Sequence, residues 1–354
     1  MSDGVLIEAY ERFHRTGPEW GADQLTNHGP MAVEVLVRRG RPEVVPAWVD
    51  GYIRRLDELP RATGEITEAF WAHALGDGRR VGDWTEYFTR QLAELPWRQV
   101  LAIWWARLLP GIAAGATHGV IRTGHVVRAL LAAPEPVDDR ASLDELAHAL
   151  AFWAARSRAM PAAADPAGTL DPLAALDAVP RIASQQGNLA NRFGQLTEES
   201  GWPASVARLR PAESSGEVQT RLADLVTAAT LRYLSHGHGQ PVLLVHTATA
   251  PNAVLHALPA LPADLWVPSL TAVWAASAAI FAAYAPPEGA APGPPPLQVG
   301  PGAVAEVLDR AVDHGDEHVI KFTDTAAEVY TRTGQAEALA AALHVGALIP
   351  SPRR

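Results

Sequence analysis

The chain contains no cysteine, so disulfides, thiolate metal sites and cysteine nucleophiles are excluded. Lysine is almost absent: of 29 Lys and Arg residues only Lys321 is a lysine, and the other 28 are Arg. Basic charge is also in deficit, and a net charge of -10 leaves no electrostatic footprint for nucleic acid or an anionic membrane surface. Alternating β-branched runs are scarce, with Val242-Leu243-Leu244-Val245 the one strand-like stretch. HExxH, Walker and nucleophile-elbow motifs are missing. The segment Gly76-Asp77-Gly78-Arg79-Arg80-Val81-Gly82 has one residue too many for a dinucleotide fingerprint and follows no strand, so flavin or nicotinamide binding through a Rossmann fold has no support. The N-terminal MSDGVLIEAYERFH lacks a basic n-region and does not read as a signal peptide, so a cytoplasmic protein is expected.

One long uncharged run is present. Leu265 to Ala285 spans 21 residues, close to the ~20 needed to cross a bilayer. Eight of them are Ala, Pro268 interrupts the start and no basic residues flank the run, so a buried central helix is expected.

Helical signals dominate the rest. Asp83 with Glu86 and Ser142 with Glu145 have capping-box spacing. Leu143, Leu146, Leu150 and Trp153 then recur at helical intervals, as do Val218, Leu222, Leu225 and Val226, and Val304, Val307, Leu308 and Ala311. With 354 residues, 48% of them hydrophobic, the expectation is an all-α fold: one large multi-helix domain over 1–354 with a buried polar or metal site between helices. Pro/Gly/Ala-rich surface connections are expected near 161–171 and 286–302.

Arg can replace Lys as a charge but not as an amine, because guanidinium stays protonated whereas a desolvated lysine can lose its proton. The lone Lys321 therefore points to Schiff-base chemistry or to capture of CO2 as a metal-binding carbamate, against a simple preference for Arg codons. At 100° per residue, His318, Lys321, Phe322, Thr325 and Val329 share one helix face. Asp324 and Glu328 flank that face and offer Lys321 an ordinary ion pair. His118, Arg122 and His125 share another face, and their i,i+7 ends lie ~10 Å apart along the axis, too far for one ion. His246 precedes Pro251 in a helix that the proline should kink or end, and His256 follows the break and could take its place. His28 lies in the turn Asn27-His28-Gly29-Pro30. The remaining histidines, His14, His73, His148, His236, His238, His314 and His344, read as solvated or capping residues.

Four segments in this order, NHGPMAVEVL at 27–36, GATHGVIRTGHVVRAL at 115–130, LLVHTATAP at 243–251 and DEHVIKFTD at 316–324, resemble the questin oxidase-like family, from about Asn27 to Tyr330. Family members include fungal enzymes that open the rings of anthraquinones and related polyketides with O2. Some are described as NADPH-dependent Baeyer–Villiger-type oxidases, and at least one as a non-haem iron dioxygenase with four histidine ligands and a carboxylated lysine. The resemblance implies a metal held by His28, His118, His246, His318 and carboxylated Lys321, with His125 and Arg122 orienting or deprotonating a phenolic substrate. The fungal pattern has a further His near Arg122 and a Tyr near His125, where this chain departs, which leaves the substrate and the fourth ligand open.

The expected function is a cytoplasmic, Fe(II)-dependent oxygenase that uses O2 to modify a polycyclic aromatic or quinone-like substrate, by ring cleavage or a Baeyer–Villiger-type step. NADPH would serve as reductant without a recognisable binding motif. Trp104, Trp105, Trp266 and Trp274 either pack the core or wall a flat substrate. The alternatives are a zinc or other divalent-metal hydrolase with the same His/carbamate cage, and a helical binding protein whose His/Lys face is a polar network.

Overall fold

The structure, a computed structural model, describes residues 2–134, 139–291, 300 and 302–352, and for Ser2 and Asp3 the backbone alone. The fold is all-α, and the two-residue strands β1 (Glu19–Trp20) and β2 (Leu25–Thr26) are the only sheet among the described residues. The chain divides into two compact units, Met1–Ala159 with His256–Leu265, and Met160–Leu255 with Trp266–Arg354. The sequence boundary between them adjoins the connection expected at 161–171, which is largely exposed and irregular apart from a single bridge between Leu170 and Leu209. Much of the other expected connection, 292–299 and 301, lies outside the described residues.

The first unit contains α1 (Ser2–Phe13), α2 (Gly29–Arg38), α3 (Val45–Tyr52), α4 (Val81–Glu94), α5 (Trp97–Leu108), α6 (His118–Ala132) and α7 (Arg140–Ala155). α7 is buried along most of its length and packs on α4 and α6. The approach to α6 is close: a Cβ at Gly119 would come within 2.7 Å of the Trp153 side chain, so only glycine fits there. Trp104 sits edge-on against Trp71, Trp84, Tyr87 and Phe88 with ring centroids 4.9–5.4 Å away, and Trp105 meets Trp153 at 5.3 Å. These two tryptophans therefore pack the core and are not a substrate wall.

The second unit contains α8 (Pro172–Asp177), α9 (Leu189–Glu198), α10 (Trp202–Val206), α11 (Ser215–His236), α12 (Pro241–Leu244), α13 (His246–Ala257) up to Leu255, α14 (Trp266–Tyr284), α15 (Ala303–His314), α16 (Glu317–Thr333) and α17 (Ala336–Leu348). The uncharged run forms α14, buried from Ser269 to Tyr284 except at Thr271 and Ala272. By length and composition its helix could cross a membrane, but 67% of the apolar window is buried inside the protein, as in a core helix. Trp274 is fully buried and donates its indole N–H to the Val206 carbonyl at 2.9 Å. The end of α14 is capped from 182–192: the Ile182 amide donates to the Ala282 carbonyl, Gln185 to Ala285 and Arg192 to Ala283. Pro251 lies inside α13, where it removes the bond that the Thr247 carbonyl would accept, and the Ser277 hydroxyl donates to that carbonyl at 3.2 Å instead.

Three local readings are corrected. Val242–Leu244 is helical, because Pro241 starts a turn and the flanking segments supply no strand partner. Asp83 is not an N-cap: it sits inside α4 and accepts from the amides of Thr63 and Gly64 and from Arg80 Nε. Ser142 is not an N-cap either. Asp139 caps α7, and Glu145 pairs elsewhere.

His14 and His148 stack at 5.2 Å between α1 and α7, so His148 is a core residue and not a solvated one. Burial pushes the His148 imidazole well below its ordinary value, with the charge of Arg122 and His14 acting in the same direction. Burial also lowers His14, against the opposing charges of Glu145, Asp144 and Glu11 and with that of Arg122. A base whose folded pKa is depressed takes up protons first in the unfolded chain, so stability is intact above pH ~6.5 and declines as pH falls below it. Denaturant midpoints measured from pH 7.5 to 5 are expected to fall, with a limiting slope of about 1.4 kcal/mol per pH unit for each histidine. His148→Gln is expected to flatten that slope, and an unchanged slope would show that the pair does not set acid sensitivity.

Candidate metal centre and its polar surroundings

Each of the four expected histidine ligands stands at a helix start. His28 is the N-cap of α2, His118 and His246 are the first residues of α6 and α13, and His318 is the second residue of α16. At the starts of α2, α6 and α16 the positive helix end suits a neutral imidazole, whereas His246 follows α12 after one residue.

In the first unit, Asn27 holds the turn that carries His28. Its amide group donates to Thr16 Oγ1 and the Gly17 carbonyl at 3.0 Å, and its oxygen accepts from the Gly29 amide at 2.9 Å. The His28 amide donates to the Tyr52 hydroxyl at 2.7 Å. Gly29 passes so close to Phe13 that a Cβ would meet the ring at 2.4 Å. His118 follows three successive left-handed residues, Gly115, Ala116 and Thr117, with φ of 53°, 56° and 71°. For Ala and Thr this conformation costs of order 1–3 kcal/mol each and persists where the surroundings impose it. The His28 and His118 rings lie 4.5 Å apart at 87°, and both are buried. His118 Nδ1 bonds to the Gly115 carbonyl, so it carries the proton and Nε2 offers the lone pair.

In the second unit, Asp316 caps α16 by accepting from the amides of His318 and Val319. Its carboxylate also approaches His318 Nδ1 at 3.4 Å, a partner of the kind that orients a ligating imidazole. The His246 and His318 rings are 6.1 Å apart, and ligand atoms of Asp316, Glu317 and His318 lie within 4.8 Å of one another. Lys321 sits one turn beyond His318 and is fully buried. Burial lowers its amine to about 7, against the opposing charges of Glu317 and Asp316. Glu328, one of the two acids expected beside Lys321, accepts from Asn252 Nδ2 at 2.8 Å, and Asp324, the other, is buried.

The first unit therefore brings the buried imidazoles of His28 and His118 together, and the second those of His246 and His318. Imidazole donors without thiolates, with a carboxylate-rich start to α16, are of the type that suits a first-row divalent metal. His256, the alternative to His246, is instead drawn to Arg128, whose Nη1 lies 3.4 Å from its Nδ1.

Arg122 sits in a buried ion pair. Its Nε and Nη2 donate to the two oxygens of Glu145 at 2.6 and 2.8 Å, and both side chains are buried. The guanidinium is thus held on two of its nitrogens by Glu145. His125 bonds through Nδ1 to Glu34 at 2.8 Å, a residue the sequence motifs did not single out. Separately, a cleft of about 310 Å³ opens along Gly17–Gly21, Asp57–Pro60 and Gly78–Val81, and none of the expected site residues lines it.

No family model matches the chain, and no curated protein matches it in sequence.

Two outcomes test this local architecture. Ala116→Gly is expected to stabilise the fold by about 1 kcal/mol in denaturant unfolding, because glycine adopts the left-handed conformation without a Cβ clash. Arg122→Met or Glu145→Leu alone should cost about 3–5 kcal/mol by stranding the partner's charge, whereas the double replacement should recover most of the loss. Full stability in either single variant would show that the ion pair is not structural.

Proposed function

We propose that this protein is a soluble, cytoplasmic non-haem iron oxygenase that uses O2 to modify a polycyclic aromatic or quinone-like substrate, by ring cleavage or a Baeyer–Villiger-type step. The observation that carries this reading is Lys321: the only lysine of the chain, buried one turn from His318, with its amine lowered to about 7. An amine that is largely neutral near physiological pH can attack CO2, and the resulting carbamate is an anionic oxygen donor with longer reach than Asp or Glu. The resemblance of the four histidine-bearing segments to the questin oxidase-like family supports the same reading.

On this proposal the ligands of Fe(II) would be drawn from His28, His118, His246, His318 and carboxylated Lys321, neutral imidazoles and one anionic oxygen that would suit that ion. Bound iron would supply O2 binding and activation. The chain's own residues do the remaining work. Gly115 and Asp316 orient the imidazoles of His118 and His318. His125 takes the proton of a substrate phenol on Nε2, its Nδ1 being engaged by Glu34. NADPH enters only as an external reductant.

Metal analysis after purification without chelator tests the reading, with iron expected at about one per chain for a single site. Zinc would favour the hydrolase alternative, and absence of metal would favour a polar network in a binding protein. Lys321→Arg is expected to lose iron and turnover by at least about tenfold, because guanidinium keeps the charge but cannot form a carbamate. Full iron content in Lys321→Arg would end the carbamate proposal.

A further inference from the structure

The first unit holds a buried ionic assembly around Glu34, in the middle of α2. Glu34 is 2% exposed, yet its neighbours are apolar, Val33 and Val35, both fully buried. Three partners reach the carboxylate. His125 Nδ1 lies 2.8 Å from Oε2, Arg128 Nε donates to Oε1 at 2.9 Å, and Arg128 Nη2 bonds to Oε2. Arg38 Nε stands at 4.0 Å from Oε1. Burial by itself would raise the Glu34 carboxyl, but the charge of Arg128 and the bonds from His125 and Arg128 bring it to about 2. Glu34 is therefore a carboxylate, able only to accept.

That fixes a proton. Arg128 Nη2 also lies 3.2 Å from His125 Nδ1, and a guanidinium can only donate. Were Nδ1 to carry a lone pair for Arg128, that lone pair would face the lone pairs of Glu34 Oε2 at 2.8 Å, which is repulsive. With Nδ1 protonated, the shorter contact becomes a charge-assisted hydrogen bond, and Arg128 is satisfied by its two bonds to Glu34. The lone pair of His125 is then on Nε2.

We propose that Glu34 is a positioning residue, which holds His125 in the Nδ1–H tautomer so that Nε2 is the proton acceptor for a hydroxyl of the aromatic substrate. The substrate in this statement rests on the oxygenase reading, whereas the tautomer does not. In the transfer the substrate O–H bond breaks, an Nε2–H bond forms, and the electron pair stays on the phenolate oxygen. The imidazolium so formed is met by Glu34, while Arg128 keeps Glu34 ionised throughout. Substrate binding is not needed to set this arrangement, because all of its members come from the first unit.

The tautomer is measurable in the metal-free or metal-loaded protein by two-dimensional 15N–1H NMR of the histidine rings, with His125→Gln supplying the assignment. Wild-type His125, in its neutral form, is expected to be Nδ1-protonated in preference to Nε2-protonated by at least about tenfold, the direction a carboxylate partner imposes. Glu34→Gln should abolish the preference, since an amide can donate to Nδ1 as well as accept, and Glu34→Asp should restore it. An Nε2-protonated wild-type ring, or a Glu34→Gln variant that keeps the Nδ1–H tautomer, would overturn the proposal. If Glu34→Gln fails to fold, the wild-type spectrum decides alone. Iron measured on the same samples separates the two ideas: wild-type protein without iron ends the oxygenase reading and leaves the tautomer standing, and the wrong tautomer with iron present does the reverse.

Discussion

A charge taken into the interior of this helical protein has to be met within hydrogen-bonding distance, because desolvation of a lone ion costs several kcal/mol. The first unit meets this demand in several places, two of them central. Arg122 and Glu145 satisfy each other in a two-pronged pair, and Glu34 is surrounded by Arg128, His125 and Arg38. In the second unit the same demand has a different result. Lys321 is deep enough that burial outweighs the pull of Glu317 and Asp316, and its amine moves towards the neutral form.

Backbone constraints do the complementary work of placing donors. His118 is delivered by a run of left-handed residues in which Ala116 and Thr117 adopt a conformation disfavoured for them. His28 is delivered by a turn in which Asn27 satisfies backbone groups on both sides, and in which Gly29 is needed for the approach of Phe13. His318 is delivered by an Asp316 cap that also addresses its ring. In each case the side chain that carries chemistry is held by the strand of chain just before its helix, so the helices themselves can be packed for stability.

Much of this was legible in the sequence. The all-α class followed from helical spacing and the lack of alternating strands, and α14 followed from an uncharged run too rich in Ala and too poor in flanking charge for a membrane span. The peculiarity of Lys321 was visible from composition alone. The i,i+7 spacing also separated His118 from His125, and in the structure their Nδ1 atoms address different partners, Gly115 and Glu34. Helix boundaries were less legible. Asp83 and Ser142 have capping-box spacing, but Asp83 is used by the 63–64 amides, and Asp139 captures the start of α7 ahead of Ser142. A four-residue pattern cannot tell which of several acceptors a helix end will find.

The sequence by itself determined which residues are chemically capable: one amine, thirteen imidazoles and no thiol. It also fixed which of them share a helix face, since periodicity is a local property of the chain. Only the tertiary structure decided their state. That Arg122 is spent on Glu145, that His148 is buried against His14, and that Glu34 governs His125 depend on contacts 23, 134 and 91 residues apart in the chain. Protonation, tautomer and pairing are set by what surrounds a group within a few ångströms, and those surroundings exist only once distant segments have packed together.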